Sequence, residues 1–436
     1  MYTSRIFLVG RVMLFLAAAF LVGCSSANAA GNKSTPIEKS PTHVILTSTS
    51  TSVSTLSPTI DTVVGQVLTN MHQHAWNPNA MTHQTVTGGL YINWKMSDPS
   101  ITNVTNPGAD GETDHNHDPQ VDLLYLESLA EYHQLHPQDT TYSNDLQRAT
   151  ALVLADFKNY SMPKGWVYFA LLKAGTLLQN TALIDTAHSV ANNFYRHSYD
   201  ATLGFVYDRS HHPGVYNSDH TLVAGVALID AGIRWNTPAW VTAGEKTVEH
   251  TIAVALDPQY HLFYYSMVVG NNGHDSVSNY KAKPATQGQI VDSLLTAYTL
   301  VHRQQYLDVA KQVLQAIVQT TNMWDTTYGG YYFAFNLGTG TPITAYKETR
   351  SQSLILLALH HYDTLIQPQY TVQEQQLVDV LTKHFYDSTY HGYFYRTTTD
   401  FRVFVTRQKQ GVGTEDYFTT EAMGGAMDAL QTTELG

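Results

Sequence analysis

Aspartate recurs along this chain ahead of a glycine or aromatic run at a near-constant interval, and that interval restricts the fold more than any other feature. Tyr199-Asp200 leads into Gly204-Phe205-Val206-Tyr207, Trp324-Asp325 into Gly329-Gly330-Tyr331-Tyr332-Phe333, and Tyr386-Asp387 into Gly392-Tyr393-Phe394-Tyr395. Weaker copies are Leu256-Asp257 with Phe263-Tyr264-Tyr265, and Trp76-Asn77 with Gly88-Gly89-Leu90-Tyr91. The aspartates at 200, 257, 325 and 387 are 57, 68 and 62 residues apart. A recurring period of this length marks stacked supersecondary units, each burying its apolar face against the next. Glycine supplies the turn and the aromatics pair across strands, so each of these loops is expected to hold a short β-hairpin.

Between the loops, apolar residues follow helical spacing. Twelve helices are predicted, over 59–74, 118–135, 141–159, 165–179, 181–197, 217–235, 238–255, 286–303, 305–321, 348–366, 371–385 and 414–432. Two kinds alternate. Helices 238–255 and 305–321 carry their charges on one side, whereas 217–235 and 348–366 are apolar nearly all round, as buried helices are. Each repeat therefore supplies two helices, and six such hairpins in a ring make an all-α (α/α)6 toroid with short β-hairpins in the loops of one face.

The N-terminal segment reads differently. Arg5 and Arg11 precede an apolar run over 12–22 that is too short for a membrane span, which needs about 20 apolar residues. Leu21-Val22-Gly23-Cys24 resembles the lipobox of bacterial lipoproteins, which implies a signal peptide over 1–23 and a lipidated Cys24. The alternative is ordinary secretion with cleavage after Ala27-Asn28-Ala29. Cys24 is the only cysteine, so no internal disulfide can form. Residues 24–58 are rich in Ser and Thr and are expected to be a flexible linker, leaving one domain over 59–436. The expected location is extracytoplasmic, lipid-anchored to the cell membrane, with the lipid as the only membrane attachment and a monomeric state. A formal net charge of −12 excludes nucleic acid as a natural partner, since that demands a basic face.

On the repeated loops and the hairpin spacing, the region 59–436 resembles the six-hairpin glycosidase superfamily. That group includes α-1,6-mannanase-type glycoside hydrolases, unsaturated glucuronyl hydrolases and the N-acylglucosamine 2-epimerase family. The adjacent Asp-Asp pair that mannanase-type enzymes carry on an inner helix is absent. The resemblance implies an oligo- or polysaccharide partner and a cleft on the face where inner helices begin. Long connections precede the helices starting near 118, 217, 286, 348 and 414, and long loops are where function concentrates. The residues falling there are Asp118 and Asp122; Asn217, Asp219 and His220; Gln287, Gln289 and Asp292; Lys347, Glu348, Arg350 and Gln352; and Glu415, Asp416 and Glu421. Helix capping alone accounts for any one of Asp118, Asp219 or Glu415. The run 347–352 is harder to explain that way, because long polar side chains at the start of an apolar helix are costly unless they face water or one another.

The chemistry best matched to this set is glycosidic hydrolysis by two carboxyl groups. The pair is expected among Asp118, Asp219, Glu348 and Glu415. His220, Gln287, Lys347, Arg350 and Asp416 are the expected holders of sugar hydroxyl or carboxyl groups, and Tyr207, Tyr264, Tyr331, Tyr332 and Tyr395 the expected stacking rings. No dinucleotide, phosphate-loop, nucleophile-elbow or zinc-helix motif is present, so no cofactor or metal is expected. Asp110, Glu112 and Asp114 space oxygens as a calcium loop does. The EF-hand pattern fails there, with no glycine at the sixth position and Val121 at the twelfth, so a solvated loop is expected. His115 and His117 alone are too little for zinc, and the pair His360-His361 is expected to be structural. Three other readings remain open at this point. They are a sugar epimerase or isomerase working through histidine, a polysaccharide lyase, and a non-catalytic glycan-binding lipoprotein.

Overall fold

The computed structural model describes residues 59–82, 85–86, 88–100, 117–208, 214–270, 274–403, 405–408, 411–414 and 417–435. Cys24 and the linker, Asp110, Glu112, Asp114, Glu415 and Asp416 lie outside the described residues. Twelve α-helices occur among the described residues, as the periodicity predicts. The first six are α1 (Ile60–His74), α2 (Pro119–Leu135), α3 (Ser143–Phe157), α4 (Gly165–Leu177), α5 (Thr181–Asn193) and α6 (Ser218–Arg234). The second six are α7 (Pro238–Ala255), α8 (Pro284–Val301), α9 (Gln304–Gln315), α10 (Thr349–Leu365), α11 (Thr371–Val380) and α12 (Thr420–Leu435). None of them is long and apolar enough to cross a membrane.

The even-numbered helices form a closed ring. α2 packs on α4, α4 on α6, α6 on α8, α8 on α10, α10 on α12, and α12 returns to α2. Outside this ring α3, α5, α7, α9 and α11 each lie against the even-numbered helix that precedes them in sequence, and α1 lies against α12. The architecture is the (α/α)6 toroid. The division of labour follows from sequence. α6 is buried almost continuously from Ser218 to Gly232, whereas α9 buries one stripe, Tyr306, Leu307, Val309, Ala310, Val313 and Leu314. Each large apolar side chain so buried contributes roughly 1.5–3 kcal/mol. Close crossings need glycine. A Cβ on Gly244 of α7 would stand 2.4 Å from the carbonyl oxygen of Gly225 on α6, and one on Gly288 of α8 would stand 2.5 Å from that of Leu354 on α10.

The recurring loops share one construction. The Oδ1 atoms of Asp200, Asp257, Asp325 and Asp387 each accept the backbone N–H groups of the residues two and three positions on. The residue four positions on, Gly204, His261, Gly329 or His391, then donates to the aspartate carbonyl from a left-handed backbone (φ 82°, 54°, 81° and 58°). A short antiparallel pairing follows in each copy, Asp200 with Phe205, Leu256 with Phe263, Trp324 with Tyr331 and Asp387 with Gly392, and also Asn77 with Gly89 in the weakest copy.

Inner helices grip these loops from two sides. The first residue of a helix holds the loop that leads into the next inner helix: Ser218 donates to the Tyr264 carbonyl, Thr349 to Phe394 and Thr420 to Tyr91. The fourth residue holds its own loop: Gln287 accepts the N–H of Phe263 and donates to its carbonyl, and Gln352 does the same for Tyr331. Two helix starts differ from the periodicity. α8 begins at Pro284, whose fixed φ and missing N–H suit the first turn. α12 begins at Thr420 and not near 414, because Tyr417–Thr419 pairs as a strand with Asn93–Lys95.

Candidate active site

The ring encloses a cavity of about 540 Å³ lined by all six inner helices. Its wall has three levels. At the rim, where the inner helices begin, stand Asp118, Lys164, Trp166, His220, Arg350 and Glu421. Below them Leu124, Phe169, Val223, Leu354 and Leu357 make an apolar girdle. At the floor are Glu127, Lys173, Asp292, His361 and Asp428. Seven residues separate Glu421 from Asp428 on α12, a drop of roughly 10 Å at the helical rise.

The rim carries two polar groupings on neighbouring helices. Asp118 caps α2 by accepting the N–H of Gln120 at 2.9 Å, and the Gln120 side chain bridges it to Lys164, whose Nζ donates at 2.9 Å. Arg350 Nη1 lies 3.3 Å from Glu421 Oε1. Just inside, Gln289 is 8% exposed and its Oε1 has no hydrogen-bond partner among the described residues. An acceptor left in this state carries a desolvation cost that a ligand hydroxyl would relieve.

The floor is an ionic cluster. Lys173 Nζ lies 2.6 Å from Glu131, 2.6 Å from Asp428 and 3.7 Å from Glu127. Burial works against the lysine charge, but the surrounding acids, Asp428 first, outweigh it and hold the ammonium above its usual range. Burial, with the Asp428 charge adding to it, pushes Glu127 up to about 8, and burial likewise pushes Glu131 well above the usual carboxylate range. His361 pairs with Asp292, whose charge raises the imidazole above its ordinary value.

Of the residues expected from sequence, Asp118, His220 and Arg350 meet at the rim. Asp219 is turned between α6 and α8, accepting the N–H of His220 and the hydroxyl of Thr286 at 3.1 Å. Glu348 is buried on a strand paired with Arg396 and does not line the cavity. Gln287 is the loop clamp already described. Lys347 is fully buried with its Nζ 2.9 Å from Asp325, donating to the carbonyls of Gly329 and Thr399. The five tyrosines sit in the loops. Tyr264 donates to Asp257 at 2.6 Å, Tyr331 and Tyr395 are buried, and Tyr207 and Tyr332 are half-buried beside Phe205 and Lys347. None of the five lines the cavity wall. His360 pairs with Glu374 on α11, while its neighbour His361 reaches the floor. Trp166, Phe169, Glu127, Lys173 and Asp428 are wall residues that sequence reasoning passed over. The available signal was a charge inside an apolar helix, as Lys173 is in Gly165–Leu177.

No family model matches the sequence, and no curated protein matches it. Solved structures do match in shape. An unsaturated glucuronyl hydrolase specific for heparin superposes with a TM-score of 0.61 at 12% identity, covering 86% of this chain and 96% of its own. A family 76 glycoside hydrolase from a bovine Bacteroides thetaiotaomicron strain gives 0.62 at 9% identity, covering 87% and 78%. A D-mannose isomerase gives 0.59 at 15% identity, covering 86% and 100%. At these identities it is the fold that is shared, the (α/α)6 toroid.

Proposed function

We propose that this chain is a carbohydrate-active enzyme and, within that class, a glycoside hydrolase whose two working carboxyl groups are Asp118 and Glu421. One observation carries the reading. Among the described residues these are the two carboxyl side chains that line the rim of the cavity; they come from adjacent inner helices and stand among Lys164, His220, Arg350 and the Trp166 ring. One carboxyl protonates the glycosidic oxygen while the other activates water or attacks the anomeric carbon. The cations and Gln289 hold sugar hydroxyl or carboxyl groups, and Trp166 offers a face for a sugar ring. The unsaturated glucuronyl hydrolase and family 76 glycoside hydrolase structures sharing the fold are named for glycosidic chemistry, which agrees with this reading.

The test is a panel of oligo- and polysaccharides assayed for reducing-end release. Asp118→Asn keeps the helix cap, since asparagine caps as well as aspartate, and Glu421→Gln keeps the shape. Each is expected to lower kcat at least about 100-fold, the usual size of a general acid or base contribution. If the panel yields no reducing ends while a free sugar is isomerised, the hydrolase reading fails. An isomerase using His220 then replaces it, a reading that the His220 position on the rim favours. We also propose that the chain is exported, monomeric and anchored through lipidated Cys24. Labelled fatty acid is expected to enter the wild-type chain and not Cys24→Ser.

A further inference from the structure

Asp122 is the fourth residue of α2, the position that Gln287 holds on α8 and Gln352 on α10. All three side chains accept a loop N–H, from Leu90, Phe263 and Tyr331 respectively. The glutamines complete the grip as neutral amides by donating back to a carbonyl at 2.9 and 3.0 Å. Asp122 is an anion at the same place, and its second oxygen instead meets His117 Nε2 at 2.8 Å, with both side chains fully buried. A third donor joins them. Asp156, near the end of α3, places a carboxylate oxygen so that one ligand atom from each residue lies within 4.8 Å of the others.

The grip on the loop needs only an amide, as the two other helices demonstrate. Replacing it by an acid, pairing that acid with an imidazole and setting a second, half-buried acid beside the pair puts two carboxylates against one imidazole, an excess of negative charge that a bound cation would balance. The backbone is also cleared around the donors: a Cβ on Gly89 would fall 2.3 Å from His117 Nε2 and 3.1 Å from Asp122 Oδ2. From this juxtaposition we infer that His117, Asp122 and Asp156 form a binding site for a divalent transition-metal ion of the zinc type. One nitrogen and two carboxylate oxygens suit a tetrahedral ion with a fourth position for water. Calcium takes six to eight oxygens, and the cluster offers it two carboxylates among the described residues. Tetrahedral ligation sets donors roughly 3.3 Å apart, so the His117–Asp122 contact opens by about half an ångström while Asp156 closes in. None of the three residues lines the cavity. The ion's role is to tie the loop before α2, α2 itself and α3 into one body.

The experiment uses the full chain without an affinity tag, stripped by a chelator and titrated calorimetrically with Zn²⁺. One ion per chain is expected, with a raised melting temperature. Co²⁺ substitution is expected to give the visible bands of a tetrahedral site, and X-ray absorption of the zinc form one imidazole nitrogen among oxygens. Asp156→Asn, which leaves the Leu90 grip untouched, is expected to weaken Zn²⁺ at least tenfold. Failure of the stripped wild type to bind one equivalent overturns the inference. So does absorption showing two or more imidazoles, and so does a folded Asp156→Asn chain that binds as tightly as the wild type. The wild-type titration and spectrum decide the matter even if the variant does not fold.

Discussion

Glu127 holds a proton that the unfolded chain would release. Its ordinary value is 4.5, and burial lifts it to about 8 in the folded state. The folded chain therefore binds this proton more tightly, and the stability linked to it is fully present below pH 4.5 and lost as pH rises through about 8. Glu127→Gln removes the titration and keeps the shape. Denaturant unfolding at pH 5 and pH 8.5 is expected to show the wild type losing on the order of 2 kcal/mol more than the variant. Equal slopes would mean that Glu127 is ionised in the folded chain. Lys347 poses a different question at the same scale, because its position in the sequence suggested a sugar ligand and its contacts are with Asp325 and two carbonyls. Lys347→Met leaves Asp325 buried without its cation and is expected to destabilise the fold by about 3–5 kcal/mol. If the folded variant instead keeps its stability and loses sugar affinity, Lys347 belongs to the site. Nothing in a local stretch of sequence distinguishes these roles, since Asp325 lies 22 residues upstream. The rim positions of Asp118, His220 and Arg350 were legible because a helix start is a local event. The floor was not, because Lys173 and Asp428 meet across 255 residues.

At the scale of elements, the loops are specified by a short local grammar. Aspartate accepts two successive N–H groups, and a left-handed residue four positions on closes the turn. Gly204 isolates the second requirement, since a Cβ there meets nothing within 4 Å and its φ is +82°. Gly204→Ala is expected to lower stability by about 1–2 kcal/mol through backbone strain alone, read as a lower melting temperature with unchanged activity. A loss much larger than this would mean that the side chain does clash. The Asp-to-glycine spacing made these turns readable from sequence, and helical periodicity made the helices readable. The grips of Gln287 and Gln352 were not readable in this way. Their partners Phe263 and Tyr331 lie 24 and 21 residues away, and the same glutamines read equally well as sugar ligands. The start of α12 was misplaced for the same reason: the strand at 417–419 exists only because residues 93–95 arrive beside it.

For the molecule as a whole, the ring is stitched at three of its junctions by a helix residue that holds a neighbour's loop, and α12 closing on α2 leaves no free edge among the described helices. The two ends of this body also come together. Thr59, Ile60 and Thr433 border one surface hollow, and the charge of Asp61 reaches Glu434. A closed ring whose ends meet has no obligatory first hairpin, so the order of the hairpins along the gene is free to rotate. Joining residue 435 to residue 59 by a short glycine-serine segment and opening the chain at the exposed turn around His302 would start the polypeptide at α9. Such a circular permutant is expected to fold to the same ring and to keep whatever activity the rim supports.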